Sequence, residues 1–201
     1  MRCDNLKILF IYNGAEHFGI EFLSAFLKNH GHETSLLFDP APFSTGAILI
    51  TNKFLSRIFD LDDEIIVKKA IKGKPDLIAF SCITQTYRWS LNLAEKIRQQ
   101  SDIPIVFGGI HPSSVPEEVM QHNFIDYVIV GEGEYALLEL LEHLDGNDNK
   151  TLSKVQNLVY RSQGKVCNNP VRGYIKDLDS IPFPDKSLFV TIQRSGESKL
   201  V

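Results

Sequence analysis

The chain has 201 residues, 43% hydrophobic and 23% charged, with a formal net charge of -4. That usage belongs to a folded globular chain rather than a disordered one. With no basic stripe, it gives no electrostatic basis for binding nucleic acid. Nothing approaches the ~18 apolar residues of a membrane span, and the opening MRCDNLKILFIYNG is too short an apolar run for a secretory leader. The three cysteines, Cys3, Cys82 and Cys167, are far apart. They suggest no disulfide framework, and no CxxC or CxxxCxxC spacing builds a zinc or iron–sulfur site within the chain. A reducing cytoplasm, with no membrane and no nucleic-acid partner, is the expectation.

In chain order, residues 6–12 (LKILFIY) read as a buried strand. Residues 18–29 (FGIEFLSAFLKN) place Phe18, Phe22 and Phe26 on one stripe with Leu23 and Leu27 beside it, and His30-Gly31 ends that helix. Residues 33–38 form a second strand, 40–54 are ambiguous, and 62–72 (DDEIIVKKAIK) make a helix with acids first and lysines last. The acid run Asp60, Asp62, Asp63, Glu64 is most simply the solvated start of that helix. A third strand follows at 76–81, a helix at 87–100 and a fourth strand at 103–107. Residues 114–122 read as a short helix with Ser114 and Glu117 as a capping box. The fifth strand is 127–130 and the last helix 134–144.

Alternating strands and helices imply right-handed crossovers and a parallel sheet covered on both faces. The expectation is a doubly wound, five-stranded α/β domain over residues 1–148, strand order 2-1-3-4-5. Residues 149–201 differ: 156–161 and 166–168 read as a small C-terminal β-hairpin, and 169–201 as a linker or lead-in.

In such sheets the strand carboxyl ends share one edge, and ligands bind there. The loops at that edge are NGAEHFG (13–19), SCITQT (81–86), GGIHPSS (108–114) and GEGE (131–134). They are rich in glycine, hydroxyls and amides, and none contains lysine. A triphosphate site would need a lysine and GxxxxGK[ST], so a large, mostly neutral ligand fits better. Gly108 and Gly109 remove two Cβ atoms where a flat group could meet the main chain, although a tight turn out of the strand would also use them. Gly131-Glu132-Gly133 is half of a dinucleotide fingerprint after the wrong strand; its plainer reading is a turn and helix start. His17 and His111, taken singly, read as loop or helix-end histidines, Cys82 as a buried small hydrophobe, and Trp89 and Phe26 as core. A phosphoacceptor receiver is excluded because Asn13, Ser81 and Gly131 stand where its acids and lysine belong.

The segment VFGGIHPSSVPEEVMQHNFIDYVIVGEGEYALLELLEHL, with PDLIAFSCIT, NLVYRSQGKV and DLDSIPFPD in the same order, resembles the cobalamin-binding domain that precedes the catalytic core of cobalamin-dependent radical S-adenosylmethionine enzymes. The resemblance spans nearly the whole chain. It implies a flavodoxin-like (Rossmann-like) domain holding cobalamin at the sheet's carboxyl edge, with Ser81 and the Gly108-Gly109 pair beside the nucleotide tail. The edge residues it carries over as cofactor contacts are Asn13, His17, Gly19, Ser81, Cys82, Ile83, Thr84, Gln85, Gly108, Gly109, Ile110, His111, Pro112, Gly131, Glu132 and Gly133. Better-known cobalamin domains place the cobalt-ligating histidine in DxHxxG. Here AEHFG lacks the aspartate and has its glycine two positions after His17, so the pattern does not assign His17 as the lower axial ligand. The family's S-adenosylmethionine and [4Fe-4S] cluster belong to a CxxxCxxC domain beyond the lead-in, a motif these 201 residues lack. The expected function is thus the cobalamin-binding part of a larger radical enzyme, such as a methyltransferase, not catalytic by itself. The alternative is a cofactor-free interaction or scaffold domain of the same fold; an independent enzyme is disfavoured because no nucleophile–base pair is evident.

Overall fold

The computed structural model describes residues 5–14, 16–39, 62–146 and 151–189. The ambiguous stretch 40–54, together with Asp60, Cys3 and the end of the lead-in, lies outside them.

Parallel strands β1 (Lys7–Asn13), β2 (Glu33–Asp39), β3 (Leu77–Ser81), β4 (Ile105–Gly108) and β5 (Tyr127–Ile129) form the doubly wound sheet. The order 2-1-3-4-5 is as the alternation predicts, but the sheet does not stop at five strands. β6 (Leu158–Ser162) pairs antiparallel with β5, and β7 (Lys165–Asn168) with β6, giving a continuous seven-stranded sheet. The hairpin joins because Leu158, Val159 and Tyr160 have apolar neighbours on both faces, which a free hairpin would leave in water.

Strand alternation divides the core. Ile8, Phe10, Tyr12, Leu77, Ala79, Val106 and Ile129 face helices α1 (Phe18–Asn29) and α6 (Glu134–Leu144), whose Ile20, Leu27, Leu137 and Leu140 complete that layer. Leu9, Ile11, Ile78, Phe80, Ile105, Phe107 and Val128 face α2 (Asp63–Lys72) and α3 (Thr84–Arg98). Asp62 caps α2, its side chain accepting from Glu64 N at 3.0 Å.

Two boundaries differ from expectation. α3 starts three residues early, because Thr86 Oγ1 accepts the Ile83 N–H and donates back to Ile83 O, capping a turn that the hydroxyl-rich SCITQT had suggested was loop. The helix expected at 114–122 is two short pieces, α4 (Ile110–Ser114) and α5 (Pro116–Val119), meeting at Val115, whose backbone is not helical. Ser114 donates to Ile110 O at 2.8 Å instead of capping, so the Ser114–Glu117 box does not form. Pro116 explains the break: it sits at a first helical position and disfavours helix in the residue before it.

The lead-in is ordered where described. Asn157, buried with φ +66°, accepts Arg172 N on its Oδ1 at 2.6 Å and donates Nδ2 to Glu132 O at 2.8 Å. The chain then returns to α1, where Asp185 accepts from Ser24 Oγ (2.7 Å) and Lys28 Nζ (2.6 Å), and Asp185 N donates to Glu21 O. Lys186 pairs with Glu16 at 2.8 Å and lies 2.9 Å from buried Glu21 Oε2, an ion pair rather than an aligned hydrogen bond. Phe189 is buried edge-on against Phe38 at 5.1 Å. Among the described residues no helix is long and apolar enough to cross a membrane.

Candidate functional site at the carboxyl edge of the sheet

The two faces of β3 and β4 are unequal at their carboxyl ends. On the α2/α3 side the register partners Phe80 and Phe107 stack at 4.9 Å. On the α1/α6 side the corresponding pairs are Ala79 with Val106 and Ser81 with Gly108, so four small residues leave a gap. A cavity of about 190 Å³ occupies it. Its floor is Phe10, Ala79, Val106 and Ile129, its sides are Leu23 and Leu137, and its rim includes His17, Ser81, Gly108 and Glu134. The volume is below the roughly 300–1,000 Å³ of sites that enclose a drug-sized ligand, so the gap suits one arm of a larger molecule.

The two glycines do different things. A Cβ on Gly108 would meet only Ile129 O, at 4.0 Å, so Gly108 keeps the gap open. Gly109 has φ +99°, and a Cβ there would collide with Cys82 O at 2.7 Å and Cys82 N at 2.9 Å. Its missing side chain therefore serves the turn and the approach of the β3–α3 loop, the plainer of the sequence readings. Main-chain bonds from Cys82 N to Gly108 O (2.9 Å) and from His111 N to Cys82 O (3.2 Å) complete that junction. Ser113 Oγ accepts Gly131 N at 3.0 Å, tying in the β5–α6 loop.

His17 is the N-cap of α1, its Nδ1 accepting Ile20 N at 3.3 Å, with its ring edge-on to Tyr12 at 5.0 Å. Gly19 makes room for the ring, since a Cβ there would lie 2.9 Å from His17 Cε1. Burial lowers the His17 pKa below its ordinary value. In the neutral ring Nδ1 is occupied as acceptor, so the proton sits on Nε2, which then has no lone pair for a metal.

The cavity brings together His17, Gly19, Ser81, Gly108, Gly109, Gly131, Glu132 and Gly133 of the expected contacts. Others lie elsewhere. Asn13 is buried at the end of β1, donating to Asp39 at 3.3 Å. Cys82 is buried on the opposite face, where burial pushes its thiol up to about 12. The His111 ring lies tilted against Tyr87 at 4.1 Å and meets Thr84 Oγ1 through Nδ1 at 3.3 Å. Pro112 is buried, whereas Thr84, Gln85 and Ile110 are exposed along the edge and Ile83 is half-buried. Sequence reasoning leaves out the apolar lining and Glu134. The signal for the lining was present: small residues alternate with Phe80 and Phe107 at period two.

Glu134 opens α6. One of its oxygens, Oε2, is buried without a hydrogen-bond partner, and burial raises its pKa, with Glu132 adding to the shift and the Gly133 and Glu134 main-chain N–H groups opposing it. No lysine or arginine lines the cavity, and no group of three or more potential metal ligands occurs among the described residues.

Comparison with known proteins agrees with this geometry. The chain is 31% identical over 131 residues to an uncharacterized methyltransferase, PH0819, of Pyrococcus horikoshii, covering 64% of this chain and 28% of that protein. It is 29% identical over 191 residues to an anaerobic magnesium-protoporphyrin IX monomethyl ester cyclase of Rubrivivax gelatinosus, covering 88% of this chain and 32% of that one. The chain thus spans about a third of the length of these curated relatives. The fold matches the cobalamin-dependent S-adenosylmethionine radical enzyme OxsB solved with aqua-cobalamin and S-adenosylmethionine bound, with a TM-score of 0.73 and 17% identity over 96% of this chain and 26% of that one. Residues 11–141, more than half of the chain, match the family model described as B12 binding domain. With the cavity at the carboxyl edge of a doubly wound sheet and a family match over the same elements, the chain is a member of the B12-binding domain family.

Proposed function

We propose that this B12-binding domain is the corrinoid-carrying part of a larger radical S-adenosylmethionine enzyme, a methyltransferase or a related catalyst, and that the nucleotide tail of cobalamin enters the cavity between β3–β4 and α1–α6. The observation that carries the placement is the Ser81–Gly108 register pair, which leaves room on one face only. The apolar floor suits an aromatic base, and the lack of cationic lining suits a group without charge. Ser81 and His17 supply polar atoms at the mouth, and Ile83, Thr84, Gln85 and Ile110 are available along the edge to the rest of the cofactor. When bound, cobalamin supplies a cobalt centre suited to methyl transfer and one-electron chemistry. This chain's residues bind and orient it and exclude water from the tail.

The larger enzyme is inferred from the relatives' names, from their length and from the lead-in. Val171, Tyr174, Leu178 and Phe183 of the lead-in are 65%, 87%, 69% and 95% exposed, apolar side chains suited to packing on a further domain. That domain would hold the iron–sulfur cluster and S-adenosylmethionine, in the cytoplasm.

Hydroxocobalamin retained through gel filtration by the chain, read from its visible absorbance band, is the expected result. Failure of both this chain and the intact protein to retain it would defeat the binding site. Retention without reductive cleavage of S-adenosylmethionine by the reconstituted intact protein would defeat only the radical-enzyme reading.

A further inference from the structure

Resting on the reading that the cavity receives the tail of cobalamin, we propose that Glu134 is the residue that recognises the tail base, its carboxyl group donating a hydrogen bond to the unsubstituted ring nitrogen of the benzimidazole. Ser81 and His17 Nε2 stand at the rim, and two other polar atoms of the lining are already engaged. His17 Nδ1 accepts from Ile20 N, and Glu132 Oε2 accepts Ile175 N at 3.0 Å. Glu134 lines the same space, and its Oε2 is buried without a hydrogen-bond partner. An orphaned buried oxygen costs stability until something pairs with it. The remaining walls are largely apolar and select a flat hydrocarbon-like body without fixing its orientation. One donor at the head of α6 sets which edge of the ring system turns toward the helix.

The protonation state agrees. A ring nitrogen without hydrogen is an acceptor only, so it needs a donor, and a carboxyl donates only while protonated. Burial favours that form, and Glu132 on the same loop adds to it. The titratable groups facing this space are Glu132, on the loop leading into α6, and His17 at the head of α1, which burial keeps toward its neutral form.

The test is a comparison of two corrinoids with the 201-residue chain: cobalamin, which carries the base, and cobinamide, which lacks it. Glu134→Leu is expected to weaken cobalamin about tenfold while leaving cobinamide unchanged. Glu134→Gln, whose amide still donates, is expected to stay within about threefold of wild type for both. Raising the pH through the titration of this carboxyl is expected to weaken cobalamin binding by wild type but not by Glu134→Gln. The wild-type pH titration and the glutamine variant decide the matter even where the leucine variant folds poorly. Equal losses for the two corrinoids, no loss in Glu134→Leu, or a flat wild-type pH profile would overturn the role of Glu134 while leaving corrinoid binding intact. Equal wild-type affinity for the two would remove the base from the cavity, and binding of neither would defeat the parent reading as well.

Discussion

Ser81 and Gly108 stand opposite each other as register partners of β3 and β4, one residue beyond Phe80 and Phe107, which stack on the other face. This one-step alternation makes a sheet solid on one side and hollow on the other at the same height.

The glycine pair separates folding from binding. Gly108→Val places its side chain in open space on a strand that tolerates β-branching, so thermal stability should stay near wild type. Cobalamin affinity should fall at least about tenfold as the cavity fills. Gly109→Ala meets a positive φ and the Cys82 main chain, and should cost about 1–3 kcal/mol. Paired thermal melts and cobalamin titrations check both; a destabilised Gly108→Val that still binds would contradict the assignment.

His17 caps a helix and should behave as a cap. His17→Ala is expected to cost about 1 kcal/mol, and His17→Asn much less. Its folded-state pKa lies below the ordinary 6.5, so the unfolded chain takes up the proton first on acidification. The stability tied to its neutral form is therefore present above about pH 6.5 and is lost as pH falls toward the lowered folded value. Denaturant titrations across that range in wild type and His17→Asn isolate the contribution. An unchanged spectrum of bound cobalamin in His17→Asn is expected, since Nε2 carries the proton.

Asp185 fastens the lead-in to α1. Burial alone would raise its carboxyl, but the bonds from Lys28, Ser187 and Ser24 outweigh that and hold it below the ordinary 3.8. Its stabilisation is thus full above about pH 3.8 and declines as pH drops through the lower folded value. Asp185→Ala should cost about 2 kcal/mol and expose the described lead-in to limited proteolysis. A protease pattern identical to wild type would show that the segment is held by other contacts.

Thiol chemistry separates the two described cysteines. Cys82 is buried with its thiol pushed up to about 12, so iodoacetamide near neutral pH should leave it unmodified in the native chain and label it after denaturation. Cys167, half-buried on β7, should label in the native state. Peptide mass mapping reads both.

Much of this architecture was legible because its signals are local. The helical spacing of apolar residues and the His30-Gly31 stop gave the bounds of α1, although of the expected stripe Phe26 and Leu27 are buried while Phe18 is exposed, and the alternation of elements agrees with the strand order. The hairpin's attachment to β5 was not legible, since strand pairing depends on which edge is free after the rest has folded. Nor was the division of labour between Gly108 and Gly109: composition records two missing Cβ atoms, but only the backbone shows that one would point into space and the other into Cys82. Glu134 stood in the quoted GEGE run, yet a helix-opening acid is ordinary there, and its burial depends on Leu23, Leu137 and the sheet face.

The return of the chain to α1 makes the described lead-in part of the domain's own packing. Phe189 rests on Phe38, itself stacked 6.3 Å from Tyr12 at the carboxyl ends of β1 and β2. Phe189 also belongs to the buried layer that holds Ile20, Leu27 and Leu137, so the lead-in shares the core of the α1/α6 face. Opening of that layer and release of the lead-in should therefore be coupled instead of independent.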